Sequence, residues 1–214
     1  MNDEGRIMRP LGAVMKRIFN TTGTCIPARH FVADISGKGV AAALIMAALS
    51  TMIRAEASLH SSITDILKIV NESMYNLSSD EGYFATIICI RYWPDSGQLQ
   101  LIRAGHPNPL WIVGGKIARL PWLKGIPLGI TKEVSYETCE FTLSAGDSCL
   151  LYSDGVIEAQ NESLELFGEN NLVDRIKNSN GPPWGKEVVE AVRSWRGKAE
   201  VNDDLTVLEI WHDQ

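Results

Sequence analysis

A chain of 214 residues with 45% hydrophobic content can bury a substantial core, and its length suits one domain. Its formal charge of -6 excludes the basic surface that non-specific nucleic-acid binding requires. The N-terminus MNDEGRIMRPLG lacks the apolar core of a signal peptide, and the longest apolar stretch, 39–53, is too short and too rich in alanine to cross a bilayer. A cytoplasmic protein with no membrane partner is the expectation.

In chain order, FVADI (31–35) reads as a buried strand and SGKG as a turn into a helix over 40–57. That helix is apolar and small almost throughout, so it is expected to be covered on most of its circumference. Ser61 or Ser62 caps a second helix, in which Ile63, Ile66, Leu67, Val70 and Met74 share one face. The period then switches to two. FATIICIRYW and QLQLIRAG flank a PDSG turn and form a hairpin, and NPLWIV and KIARLP form another around Gly114-Gly115. YETCEFTL and DSCLLYSDG are further strands; helices follow over 169–177 and 185–195, and LTVLEIWH closes the chain as a strand. Helices, then antiparallel strands, then helices and a strand describe a layered α+β domain.

Four cysteines, Cys25, Cys89, Cys139 and Cys149, have no CxxC spacing. Cys89 and Cys149 lie inside apolar runs and read as buried thiols in a reducing compartment. Three acidic residues mark the ends of strand-like segments: Asp34 in VADISGKG, Asp154 in LLYSDGVIEA and Asp203 in NDDLTVLEI. Carboxylates held together at the mouth of a packed sheet imply a divalent metal, because hard cations take oxygen ligands. Yet from Gly5 to Ala33 there is no Asp or Glu at all.

The ordered set ADISGKGVAAALIMA, FATIICIRYWPDSGQLQLIRAGHPNPLWI, GIPLGI, LLYSDGVIEAQN and DDLTVLEI resembles the SpoIIE-type branch of the metal-dependent PPM (protein phosphatase 2C-like) phosphatases, over residues 31–214. The resemblance implies a four-layer αββα sandwich, two antiparallel sheets flanked by helices. It implies hydrolysis of phosphoserine or phosphothreonine by water activated on Mn²⁺ or Mg²⁺. It makes Asp34 the aspartate bridging two ions, with the backbone carbonyl of Ile35 on the second ion, and Asp154 and Asp203 completing the first. Asp204 stands where relatives carry Asp or Asn and supports its neighbour. The glycines Gly37, Gly39 and Gly155 shape the turns around the ions. The implied partner is a phosphorylated anti-anti-sigma (STAS-like) regulatory protein, and some members form homodimers through the helices after the SGKG turn.

Residues 1–30 depart from that pattern. Family members carry a GGD-type segment whose aspartate is private to the second ion. Ungapped spacing puts Lys16 there; a shifted register aligns GAVMKRIF and puts Val14 there, with Arg17 at the second acidic position; a third reading makes the motif a deletion. In all three no carboxylate is available, so one ion site is expected intact and the second weakened. The chain therefore carries two functional readings, an active phosphatase and a non-catalytic relative that binds the same phosphoprotein or a regulatory partner.

The remaining candidates each carry two readings. The SGKG turn suggests a phosphate cradle, but a Walker loop needs a hydroxyl residue after the lysine, and Val40 follows Lys38-Gly39. His106 in AGHPNP is a ligand or general acid on the substrate side, or a turn histidine. Arg103 meets phosphate or makes a cross-strand ion pair. His30, His60 and His212 read as solvated. Trp184 and Trp195 pack their helix with Val188, Val189 and Val192, or anchor a partner.

Overall fold

A computed structural model describes residues 16–18, 28–78, 82–118, 120, 123–179 and 181–212, with 16–18 and 78 described by backbone alone. The period-two patterning sorts its side chains into layers. In β2 (Ala28–Ile35), Phe31, Ala33 and Ile35 pack with α1 (Val40–Leu59) and α2 (Ile63–Ser78), while Val32 joins a separate cluster. β3 (Ala85–Trp93) repeats the division, with Ile87 and Cys89 toward the helices and Ile88 and Ile90 on the other side. β4 (Gln98–Ala104) places Leu99 and Leu101 with Ile88 and Ile90.

With β1 (Lys16–Ile18) and β7 (Thr138–Thr142), these strands form a five-stranded antiparallel sheet ordered β1-β2-β3-β4-β7. The backbone register sets Lys16 opposite Phe31 and Ile18 opposite Arg29. The second sheet is four-stranded, ordered β6-β5-β8-β9, from β5 (Leu110–Val113), β6 (Lys116–Ala118), β8 (Ser148–Tyr152) and β9 (Val207–Trp211). Cys149 and Leu151 of β8 face the first sheet; Leu150 and Tyr152 face α4 (Gly168–Lys177) and α5 (Trp184–Arg196). Three apolar layers thus lie between helices and sheet, sheet and sheet, and sheet and helices. This is the αββα sandwich.

Turn chemistry matches the strand pairs. Gly114 and Gly115 both take positive φ, 53° and 76°, as the tight two-residue turn between β5 and β6 requires. Ser62 Oγ accepts the Asp65 N–H at 3.3 Å and caps α2. Several elements extend beyond their sequence-based limits: β2 starts at Ala28, α1 runs to Leu59, and a one-turn helix, α3 (Asp154–Ile157), follows β8.

The expected covering of α1 needs correction. Only Ala42, Ile45, Leu49, Ile53 and Ala57 are buried, one stripe of the helix, and Val40 and Leu44 are 78% and 66% exposed. The helix belongs to an outer layer, so a single face meets the sheet. Its alanines leave no strong polar side by which the sequence could have marked the other face. At 20 residues with a mean hydropathy of 1.5, α1 is also long and apolar enough to cross a membrane by length and composition, contrary to the reading of 39–53. Its buried stripe is nonetheless part of the core formed with β2, β3 and α2.

Buried thiols are found as expected at Cys89 and Cys149, and Cys139 is free and buried as well; Cys25 lies outside the described residues. Trp184 is 2% exposed among Val188 and Val192, and Trp195 stacks edge-on to Phe167 with centroids 6.0 Å apart, so both pack their helix. Of the histidines read as solvated, His212 has its Nδ1 2.9 Å from Tyr92 Oη, and His60 pairs with Glu56 at 3.3 Å.

Candidate metal centre

Three elements deliver the acidic residues to one place. Asp34 is the penultimate residue of β2, and its direct partner on β3 is Thr86. The turn beyond it is tied down by Ser36, whose N–H donates to the Phe84 carbonyl at 2.9 Å and whose Oγ accepts the Phe84 N–H at 2.8 Å. Gly37 (φ 95°) and Gly39 (φ 87°) give that turn a backbone path that residues with a Cβ rarely take. Asp154 opens α3 directly after β8. Asp203 lies in the loop before β9, which pairs with β8 through Tyr152 and Val207, so the sheet itself brings Asp203 to Asp154.

Local bonds hold this second half together. Ser153 Oγ donates to the Asp204 carbonyl at 2.9 Å. A Cβ on Gly155 would stand 2.2 Å from that same carbonyl oxygen, so the close approach of the two segments requires glycine. Lys38 Nζ donates to the Asn202 carbonyl at 2.9 Å and links the SGKG turn to the Asp203 loop.

One carboxylate oxygen from each of Asp34, Asp154 and Asp203 lies within 4.8 Å of the other two. Negative charges at that range repel. Burial first, then Asp154 and Asp203, push the Asp34 carboxyl up to about 6, against the backbone hydrogen bond from Ile35. Burial and Asp203 raise Asp154, although its Oδ1 accepts the Gly155 N–H at 3.0 Å. Asp204 is raised in the same way, and its N–H donates to Asp203 Oδ1 at 2.7 Å. An all-oxygen donor set whose charges are mutually costly fits a hard divalent cation, which would relieve that cost.

The other sequence-derived candidates lie around this cluster. Ile35 ends β2 with its side chain in the core and its backbone paired to Ala85. Val14 is outside the described residues. His106 is 1% exposed, and its Nδ1 lies 3.0 Å from Thr86 Oγ1. The Arg103 guanidinium donates from Nε to the His106 carbonyl and from Nη1 to the Leu123 carbonyl at 2.7 Å. Thr86, Ser153 and Thr206 were missed in the sequence. The available signal was weak: a hydroxyl residue inside the alternating FATIICI, and another directly before Asp154.

With fold and cluster in place, the chain can be set beside known proteins. The family described as stage II sporulation protein E (SpoIIE) matches residues 28–212. The phosphoserine phosphatase RsbU of Bacillus subtilis (strain 168) is 28% identical over 185 residues, covering 84% of this chain and 54% of that protein. RsbP of the same organism is 22% identical over 130 residues, covering 59% of this chain and 32% of RsbP. The chain thus spans about half the length of RsbU, and less of RsbP. Among solved structures, the SiaA-PP2C domain of Pseudomonas aeruginosa superposes with a TM-score of 0.78 at 20% identity, over 95% of this chain and 82% of that one. The RsbU and RsbW domains of Rv1364c from Mycobacterium tuberculosis give 0.77 at 23% identity, over 94% and 56%. The superpositions show the fold of the SiaA-PP2C domain, and the match over residues 28–212 shows the family: the chain belongs to the SpoIIE family.

Proposed function

We propose that this chain is a divalent-metal-dependent protein phosphatase domain that hydrolyses phosphoserine or phosphothreonine on a regulatory protein of the anti-anti-sigma (STAS-like) kind. The observation that carries the reading is the convergence of Asp34, Asp154 and Asp203, from three separate elements, at one end of the sandwich. Asp34, Asp154 and Asp203 would hold one Mn²⁺ or Mg²⁺ tightly, with Asp204 in support, and the Ile35 carbonyl would serve the second ion. When bound, such an ion supplies positive charge beside a phosphate ester and lowers the pKa of water. The chain's own part is to hold these carboxylates close and fixed. The acid-free stretch from Gly5 to Ala33 argues that a second ion is held weakly.

The RsbU and RsbP relatives are named as phosphoserine phosphatases, which favours turnover over a purely binding role. Free, buried thiols at Cys89, Cys139 and Cys149 suit the cytoplasm. The exposed apolar side of α1 suits a homodimer. The test is phosphate release from p-nitrophenyl phosphate and from a phosphoserine peptide with excess Mn²⁺, beside Asp34→Asn. Mn²⁺-dependent release that Asp34→Asn loses by at least about 100-fold is expected. Equal rates for the two proteins would overturn the phosphatase reading.

A further inference from the structure

His106 is the largest polar investment in the interior that the carboxylate cluster does not itself use. It lies in the AGHP turn after β4, beyond Gly105, which takes a φ of 74° and forms a parallel bridge with Ile87. A Cβ on Gly105 would stand 2.4 Å from Pro127 Cγ, so the turn is clamped against the 125–130 loop. Arg103 Nε donates to the His106 carbonyl and fixes the turn from the other side.

The ring meets the first sheet directly. On one side Nδ1 meets Thr86 Oγ1 at 3.0 Å. Thr86 is the direct antiparallel partner of Asp34, so the two side chains leave the same face of the sheet with Cβ atoms about 5 Å apart. The other ring nitrogen, Nε2, is buried and has no hydrogen-bond partner among the described residues. One imidazole therefore touches the cross-strand neighbour of Asp34.

We propose that His106 is a positioning residue for the metal centre: bonded to Thr86, it fixes the strand position opposite Asp34 and so the orientation of that aspartate. This rests on the reading of those aspartates as metal ligands. A neutral ring suits the task, because its Nδ1 can accept from the Thr86 hydroxyl. Burial, and Arg103 after it, push the imidazole down to about 4 and so keep it neutral at physiological pH. Second-sphere partners of this kind act on metal affinity by orienting the ligands rather than by touching the ion.

The experiment is Mn²⁺ titration calorimetry on the full chain, beside thermal denaturation of the metal-free protein, for wild type, Thr86→Val, Thr86→Ser and His106→Gln. Thr86→Val keeps shape and loses only the hydroxyl. Thr86→Val and His106→Gln are expected to weaken Mn²⁺ roughly 10- to 100-fold, and Thr86→Ser to return affinity to the wild-type range. If Thr86→Val binds Mn²⁺ like wild type while its melting temperature falls, the pair is merely structural and the inference is overturned. If His106→Gln does not fold, the Thr86→Val and Thr86→Ser pair decides alone. A wild type that binds no Mn²⁺ overturns the metal reading and this inference with it, whereas binding that is equal in all four proteins overturns only the inference.

Discussion

Ser153 and Thr206 bond each other twice: the Ser153 N–H donates to the Thr206 carbonyl at 3.0 Å, and the Thr206 N–H donates to Ser153 Oγ at 3.0 Å. Both residues are buried, and each stands within three positions of an aspartate of the cluster. The Ser153 hydroxyl also donates a hydrogen bond to the Asp204 carbonyl, so it is both donor and acceptor in a buried site.

Ser153→Ala is expected to strand the Thr206 N–H and half-satisfy the Asp204 carbonyl, at a cost of about 2 kcal/mol in stability. The loop bearing Asp203 would loosen with it, so Mn²⁺ affinity should drop as well. Urea unfolding and Mn²⁺ titration of the same variant check both. Unchanged affinity with lowered stability would show that the Asp203 loop is held by other contacts.

The raised Asp34 carboxyl gives the metal-free protein an inverted pH dependence. The folded value is about 6 and the ordinary one 3.8, so between them the folded state binds the extra proton. Stability from this group is therefore present in full below about 4 and lost as pH rises through 6. Asp154 and Asp204 are raised too and act in the same direction. Metal-free protein should melt at a higher temperature at pH 5 than at pH 7.5, and Asp34→Asn should flatten most of that difference. Saturating Mn²⁺ should reverse the slope, because the ion binds the ionised carboxylates and stabilises more as they deprotonate. Melting curves at the two pH values, with EDTA and with Mn²⁺, test the sign.

The outer face of α1 carries exposed apolar side chains that contribute little to the fold of one chain. Leu44→Glu is expected to change the stability of the monomer by no more than about 0.5 kcal/mol. If the face joins two copies, the same variant shifts the mass measured by light scattering from dimer to monomer. Ile45→Glu, one residue further along but 9% exposed, should by contrast unfold the protein.

Much of this architecture was legible in the chain. Period-two runs marked the strands, glycine pairs marked the hairpins, and the order of motifs carried the sandwich. Asp34, Asp154 and Asp203 stood out because each ends or precedes an apolar run. What could not be read was the support beneath them. Thr86 looks like any strand threonine until the β2–β3 register places it beside Asp34. Asn71 falls inside an amphipathic helix, yet it is 1% exposed, donates from Nδ2 to the Thr131 and Lys132 carbonyls and accepts from the Gly129 N–H. Such roles depend on contacts between residues far apart in sequence, and no local period encodes them. The one-sidedness of α1 was hidden for a different reason: alanine fits either a buried or an exposed face.

The register of the edge strand has a practical use for anyone seeking to rebuild a two-ion centre. Because β1 runs antiparallel to β2 with Lys16 opposite Phe31, an acid grafted at Lys16 would stand three rungs from Asp34, about 10 Å along the ladder. That is more than twice the spacing at which two ions share ligands, roughly 4 Å. Rungs count downward on β1 as they count upward on β2. Lys16→Asp is therefore mispositioned to cooperate with Asp34 and serves as the control for any such graft.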